Sequence, residues 1–186
     1  MLLLPLVAVV LSADPAWERQ GEEDGLLLET QSVPGSMAEK LRVTGTTRAS
    51  PEAFINAWWG KANDFSASPE ISKREIFKDD ENDRLYWDLI NASPASDRDY
   101  VMSVKKNGNT VDFKSVDDPR KPSDKYVRMK LYGTVTAEPD AKGARITYTV
   151  FTDIGGLIPP TFARGAQRKA SFNLVREIKK RAEKSK

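Results

Sequence analysis

From residue 70 to residue 153 the chain is a succession of strand-like segments joined by short polar turns, and one long amphipathic helix follows them. Residues 70–78 and 84–90 flank Asp79-Asp80-Glu81-Asn82-Asp83, and residues 98–105 and 110–116 flank Asn107-Gly108-Asn109, a strong hairpin signal. A third pair, 126–136 and 144–153, flanks the turn at 138–143. In the closing helix, 161–184, Ala163, Gln167, Ala170, Ser171, Leu174, Val175 and Ile178 recur at three- and four-residue spacing and form one face. Antiparallel hairpins bury one side of a sheet, and a single amphipathic helix is available to cover it. The order therefore predicts an α+β fold, a curved antiparallel sheet closed on one face by the C-terminal helix.

The earlier part fits the same plan. Leu26-Leu27-Leu28 opens a strand, and Leu41 and Val43 alternate with polar neighbours as a half-exposed strand does. Ser50-Pro51-Glu52 starts a helix, with Ser50 as N-cap and Pro51 in the first turn; it carries Phe54, Ala57, Trp58 and Trp59 and ends near Gly60. The longest irregular stretch inside the sheet, 117–125, reads as a mobile gate.

With 186 residues there is material for one ordinary domain. Cysteine and histidine are both absent, which removes thiolate nucleophiles, zinc–sulfur and iron–sulfur sites, Ser-His-Asp machinery and histidine-held metals. A net charge of +2 gives no reason to expect nucleic acid. The first eleven residues, MLLLPLVAVVL, are too short a run to span a bilayer and suit the core of a signal peptide cut after Ala13. Residues 1–13 are therefore expected to direct export to the periplasm or outside the cell, leaving 14–186 as the domain. From Arg164 to Lys186 nine Lys/Arg stand against Glu177 and Glu183, a basic face that is either simply solvated or touches anionic headgroups.

No catalytic motif stands out. The acidic run at 79–83 lacks the glycine and distal glutamate of a calcium loop and reads as a turn. Asp97 and Asp99 flank Arg98 and face oppositely if extended. Gly155-Gly156 lacks the companions of a phosphate loop, and no cofactor is implied. The strand aromatics Tyr86, Trp87, Tyr100, Phe113, Tyr126, Tyr132, Tyr148 and Phe151 are core or line a pocket for an apolar ligand.

The ordered set Tyr86-Trp87-Asp88, Asp97-Arg98-Asp99-Tyr100-Val101, Tyr126-Val127-Arg128-Met129-Lys130-Leu131-Tyr132 and Asp153-Ile154-Gly155-Gly156-Leu157-Ile158-Pro159 resembles the START (steroidogenic acute regulatory-related lipid transfer) domain, from about Trp17 onward. The resemblance implies a helix-grip fold with an internal hydrophobic cavity for one lipid or other hydrophobic molecule. It also implies a lid made of the 117–125 loop and the C-terminal helix, which would touch membranes transiently. Its motifs lie closest to the phosphatidylcholine-binding branch, whose three choline-caging aromatics match Trp87, Tyr100 and Tyr132. Such a cage holds a quaternary ammonium by its aromatic faces. The phosphate-binding arginine of that branch is replaced by Asp64, with Lys61 nearby. The acid–base pair of the steroid-carrying branch falls near Trp87 and on Val104, which disfavours that ligand class.

Arg98 belongs to the family's R-D signature. It either anchors a headgroup or ties the preceding loop through charged hydrogen bonds. The leading expectation is a non-catalytic lipid carrier. The alternative is an aromatase/cyclase-type enzyme of the same superfamily, with Tyr148 or Asp88 as the available acid or base.

Overall fold

The computed structural model describes residues 15–185 apart from Pro94 and Ser123. The expected signal peptide, 1–13, lies outside the described residues. The elements are β1 (Glu18–Glu23), β2 (Leu26–Ser32), β3 (Glu39–Thr47), α1 (Pro51–Trp59), β4 (Ile71–Asp79), β5 (Asp83–Ile90), β6 (Arg98–Asn107), β7 (Thr110–Val116), β8 (Val127–Arg128), β9 (Lys130–Asp140), β10 (Gly143–Asp153) and α2 (Pro160–Lys184).

The ten strands form one curved sheet in the order β1-β2-β3-β10-β9-β7-β6-β5-β4, with β8 added in parallel to β6. Every other pairing is antiparallel, so the α+β expectation holds. Period-two alternation sends Leu26, Leu28, Leu41, Val43, Tyr100, Met102, Val111, Phe113, Val135, Ile146 and Tyr148 to one inner face. Both helices lie on that face and complete the core with Phe54 and Ile55 from α1 and Val175, Ile178 and Ala182 from α2.

Local chemistry sets the limits of α1. The Ser50 hydroxyl accepts from the Ala53 N–H at 3.2 Å, and the chain leaves the helix at Gly60 with φ of 48°. Arg84 then fastens that end: its guanidinium lies 4.1 Å over the Trp59 ring and donates to the carbonyls of Trp59 and Gly60. The acidic turn at 79–83 is held by the same sheet-end cations, with Lys78 on Asp80 and Asp83 and Arg84 on Asp79.

On the inner face close approach requires glycine at position 133. A Cβ on Gly133 would stand 2.1 Å from the Thr149 carbonyl oxygen and 2.5 Å from Phe113 Cζ, because the Phe113 ring crosses β9 there. Gly133→Ala is expected to cost about 1–3 kcal/mol through overpacking, read as a lower urea midpoint with an unchanged slope.

Candidate ligand-binding interior

The inner face is apolar over β2, β3, β9 and β10 and becomes polar over β4, β5 and β6. Antiparallel register sets Arg74 opposite Asp88 and Asp88 opposite Tyr100, so the three side chains share one side of the sheet. Arg74 donates Nε and Nη2 to the two oxygens of Asp88, both at 2.7 Å, and Nη1 to the Ala62 carbonyl at 2.8 Å. The Tyr100 hydroxyl donates to Asp88 Oδ2 at 2.7 Å, and the Tyr86 ring lies 4.0 Å from the Arg74 guanidinium. Asp88 is fully buried, so its charge is carried entirely by these partners.

Titration follows from the same packing. Burial pushes the Tyr100 phenol well above its ordinary value, and the Asp88 charge adds to the shift. Burial also raises Tyr86, to about 12, and raises Tyr148 further. Burial works against the Arg74 charge, but the bond with Asp88 and the charge interactions around it together outweigh burial and hold the guanidinium protonated. All three phenols are therefore neutral hydrogen-bonding groups across the ordinary pH range.

Arg98 begins β6 with the parity of Tyr100 and is 4% exposed. It donates to the Ser96 carbonyl, and its Nη2 lies beside Gly156. Of the neighbouring carboxylates, Asp99 takes Arg128 at 2.9 Å and the Trp87 indole N–H at 2.8 Å, Asp88 takes Arg74, and Asp97 is exposed to solvent. Arg98 Nε is the one buried side-chain nitrogen or oxygen among the described residues with no hydrogen-bond partner.

The three expected cage residues do not converge, which corrects the sequence-based expectation. Tyr100 faces inward. Trp87 pairs with Val101 on the outer face, bonded to Asp99 and packed against Tyr126 at 6.2 Å. Tyr132 pairs with Phe151, also on the outer face, where it is 47% exposed and stacked at 5.2 Å in a surface recess of about 520 Å³. The reason is parity: Trp87 and Asp88 are neighbours on β5, and the register that turns Asp88 inward turns Trp87 out.

The 117–125 loop likewise does not roof the interior. Lys121 lies 4.3 Å over the outward Trp87 ring, bonds Glu75 at 2.6 Å and gives its carbonyl to Arg128 at 2.7 Å. Arg120 lies 4.0 Å over Phe77. These contacts fix the loop against the outer side of β4 and β5.

The roof is α2, and its two halves are held differently. In the second half Ser171, Val175, Ile178 and Ala182 are buried, and Glu183 accepts from the Thr47 hydroxyl and the Arg48 N–H at 3.0 and 3.1 Å. Arg181 adds a bond to Asp64, the residue standing where the phosphate-binding arginine was expected. Across 161–170 no residue is fully buried, and Ala170, expected on the packed face, is exposed. Arg168 on Glu39 at 2.7 Å and Gln167 on the Thr152 carbonyl at 3.0 Å are its principal ties to the sheet. Of the inner-face residues, Tyr86, Ile90, Met129 and Leu131 remain only partly buried, and Leu131 pairs with Thr152, whose carbonyl Gln167 holds.

No protein-family profile matches the chain, and no curated protein matches it by sequence. Solved structures do match. A STAR-related lipid transfer protein fragment from Xanthomonas axonopodis is similar with a TM-score of 0.77 and 22% identity, over 89% of this chain and 98% of that one. Human StAR-related lipid transfer protein 5 is similar with a TM-score of 0.72 and 15% identity, over 90% and 86%. The ZhuI aromatase/cyclase of Streptomyces sp. R1128 is similar with a TM-score of 0.60 and 12% identity, over 78% and 94%. The likeness establishes the fold, a START-like helix-grip arrangement.

Proposed function

We propose that the protein is a non-catalytic carrier that holds one amphipathic molecule between the inner face of the sheet and α2, with an acidic headgroup on Arg98. The observation that carries this reading is a buried guanidinium with no carboxylate partner among the described residues, set opposite Ile90 on an inner face whose apolar residues are only partly buried, while the first half of α2 is loosely held. A buried cation is costly without an anionic partner, and a carboxylate or phosphodiester supplies one. Each Å² of apolar ligand surface removed from water adds about 25 cal/mol, enough to hold a lipid-sized guest without covalent chemistry. Entry requires the first half of α2 to swing away while the second half stays seated.

The fold is shared with aromatase/cyclases, so an enzyme acting on a hydrophobic substrate is the competing reading. The inner-face groups offer no ready base: Asp88 is saturated by Arg74 and Tyr100, and Tyr148 is kept protonated by burial. We further place the protein outside the cytoplasm, directed there by its apolar N-terminal segment.

Native mass spectrometry of the protein isolated from its own cells tests the set together. One acidic amphiphile per chain is expected, on a polypeptide beginning at Asp14. Arg98→Gln is expected to weaken retention about ten- to hundredfold, the scale of a hydrogen bond to a charged group. A lower thermal midpoint with retention unchanged would make Arg98 a clamp for the 91–97 loop instead. A protein that is empty and takes no lipid from mixed liposomes would sink the carrier reading.

A further inference from the structure

On the outer face of the sheet one cross-strand row carries two aromatic rings between two lysines. Lys40 on β3 is set against Phe151 on β10, Phe151 against Tyr132 on β9, and Tyr132 against Lys114 on β7. The four side chains project to the same side, because residues directly opposite in an antiparallel ladder share a face. Two residues along each strand, the next row on that face reads Arg42, Thr149, Thr134, Asp112 and Lys105. Both helices lie on the opposite face and the 117–125 loop covers β4 and β5, so neither packs over these rows. The recess of about 520 Å³ that Tyr132 and Phe151 line runs between the two rows, with Trp17 at its β3 side, held 4.2 Å beneath the Arg42 guanidinium.

Aromatic pairs usually bury their faces in a core or an interface, yet Tyr132 leaves 47% of its surface in water. The cations beside it are unspent. Arg42 is bound to Glu29 at 2.8 Å, but no ion pair of the described residues includes Lys40, Lys105, Lys114 or Asp112. Those three lysines and one carboxylate are the charged groups of the lining, which leaves it at +2. Cations on both flanks of an open aromatic face complement a flat ring with acidic groups on its rim. The backbones of Lys40 and Lys114 are three strand spacings apart, about 14 Å, and their long side chains can fold inward over one or two fused rings. A sugar would ask for carboxylates and amides to grip its hydroxyls, and Asp112 is alone of that kind in the lining.

We propose that this outer recess binds a small aromatic acid, a planar ring system bearing carboxylate, sulfonate or phosphate groups, stacked on Tyr132 with its acidic groups on Lys40 and Lys114. Thr134 and Thr149 stand alongside with hydroxyls for polar substituents of the ring. The full thickness of the sheet separates this site from the inner face, so it stands independently of the carrier reading. It also selects a different chemistry, a compact and highly charged molecule that gains nothing from an apolar interior.

Calorimetric titration of the whole protein with naphthalene disulfonate, joined to amide chemical-shift mapping, tests it. One molecule is expected to bind per chain, more weakly as salt is added, with shifts centred on Lys40, Lys114, Tyr132 and Phe151. Tyr132→Ala should weaken binding about five- to tenfold, and the double variant Lys40→Gln, Lys114→Gln about tenfold. Both should keep the parent's thermal midpoint within a few degrees, since the exchanged side chains lie at the surface. Naphthol, the same ring without its acidic groups, should bind about tenfold more weakly than the disulfonate. No binding by the parent, undiminished binding by either variant, or equal affinity for naphthol overturns the proposal. A shift map centred on β5, β6 and α2 overturns it too, by placing the ring in the interior. Lipid retention separates the two readings: Tyr132→Ala should hold lipid like the parent, and an empty protein that binds the disulfonate would sink the carrier while leaving the outer site standing.

Discussion

Asp88→Leu is expected to destabilise the protein by about 3–5 kcal/mol, a large part of the margin of a domain of ordinary stability. The substitution removes a carboxylate with no solvent exposure and strands the Arg74 guanidinium, 11% exposed at its side chain, together with the Tyr100 hydroxyl. A charge left unpaired in that position cannot recover its hydration, and this loss exceeds anything the added leucine surface returns. The complementary variant makes the point decisive. Arg74→Met, Asp88→Leu, Tyr100→Phe removes all three polar partners at once and should restore most of the stability, because an ion pair and an apolar cluster of similar volume are close in free energy. Urea denaturation of both variants measures this. A single variant within 1 kcal/mol of the parent would show that water reaches the pair and that it is not an interior feature at all.

Pinning the first half of α2 to the sheet should abolish lipid exchange. The chain contains no cysteine, so Glu39→Cys, Arg168→Cys introduces the only two thiols, at positions whose native side chains already bond at 2.7 and 3.0 Å. Bridging them with a short methanethiosulfonate cross-linker replaces a salt bridge that opens with a covalent tie that does not. Transfer between vesicles is expected to fall to background when bridged and to return on reduction. The reduced variant should exchange at least as fast as the parent, because one of the principal ties of that half is gone. The same bridge placed across the second half, Thr47→Cys with Glu183→Cys, should leave exchange unchanged, since that end is already seated. Full exchange by the bridged 39–168 variant would mean that ligand enters elsewhere.

The parts of this structure legible in the sequence are those decided locally. Ser50-Pro51 and Gly60 bracket α1 through backbone chemistry that these three residues specify, and Asn107-Gly108-Asn109 turns its hairpin for the same kind of reason. What was not legible is which face each strand presents. Trp87 and Tyr132 suit either side of a sheet as aromatics, and the register that settles it depends on partners far along the chain. The polar centre was hidden for a related reason. Arg74 sits in the charged strand β4, between register shifts at 71–73 and 76–78, so no alternation marks it as inward. Strand β1 is exposed at every position and gave no apolar period to read. Ala170 has the spacing of a packed residue, yet the half of α2 that carries it has little to pack against.

The place of β3 in the sheet has a consequence for how the chain reaches this state. One edge of β3 is satisfied at once by β2, but the other waits for β10, with Thr47 meeting Ala144 and Lys40 meeting Phe151. That seam joins positions roughly a hundred residues apart, a closure slow to find because much chain entropy is lost before any contact repays it. The β1–β3 meander and the β4–β7 meander can each form early, but they become one sheet only when β9 and β10 arrive between them. The last strand is therefore the keystone of folding, and until it is placed the nascent molecule is two half-sheets with unsatisfied borders and no interior to hold anything.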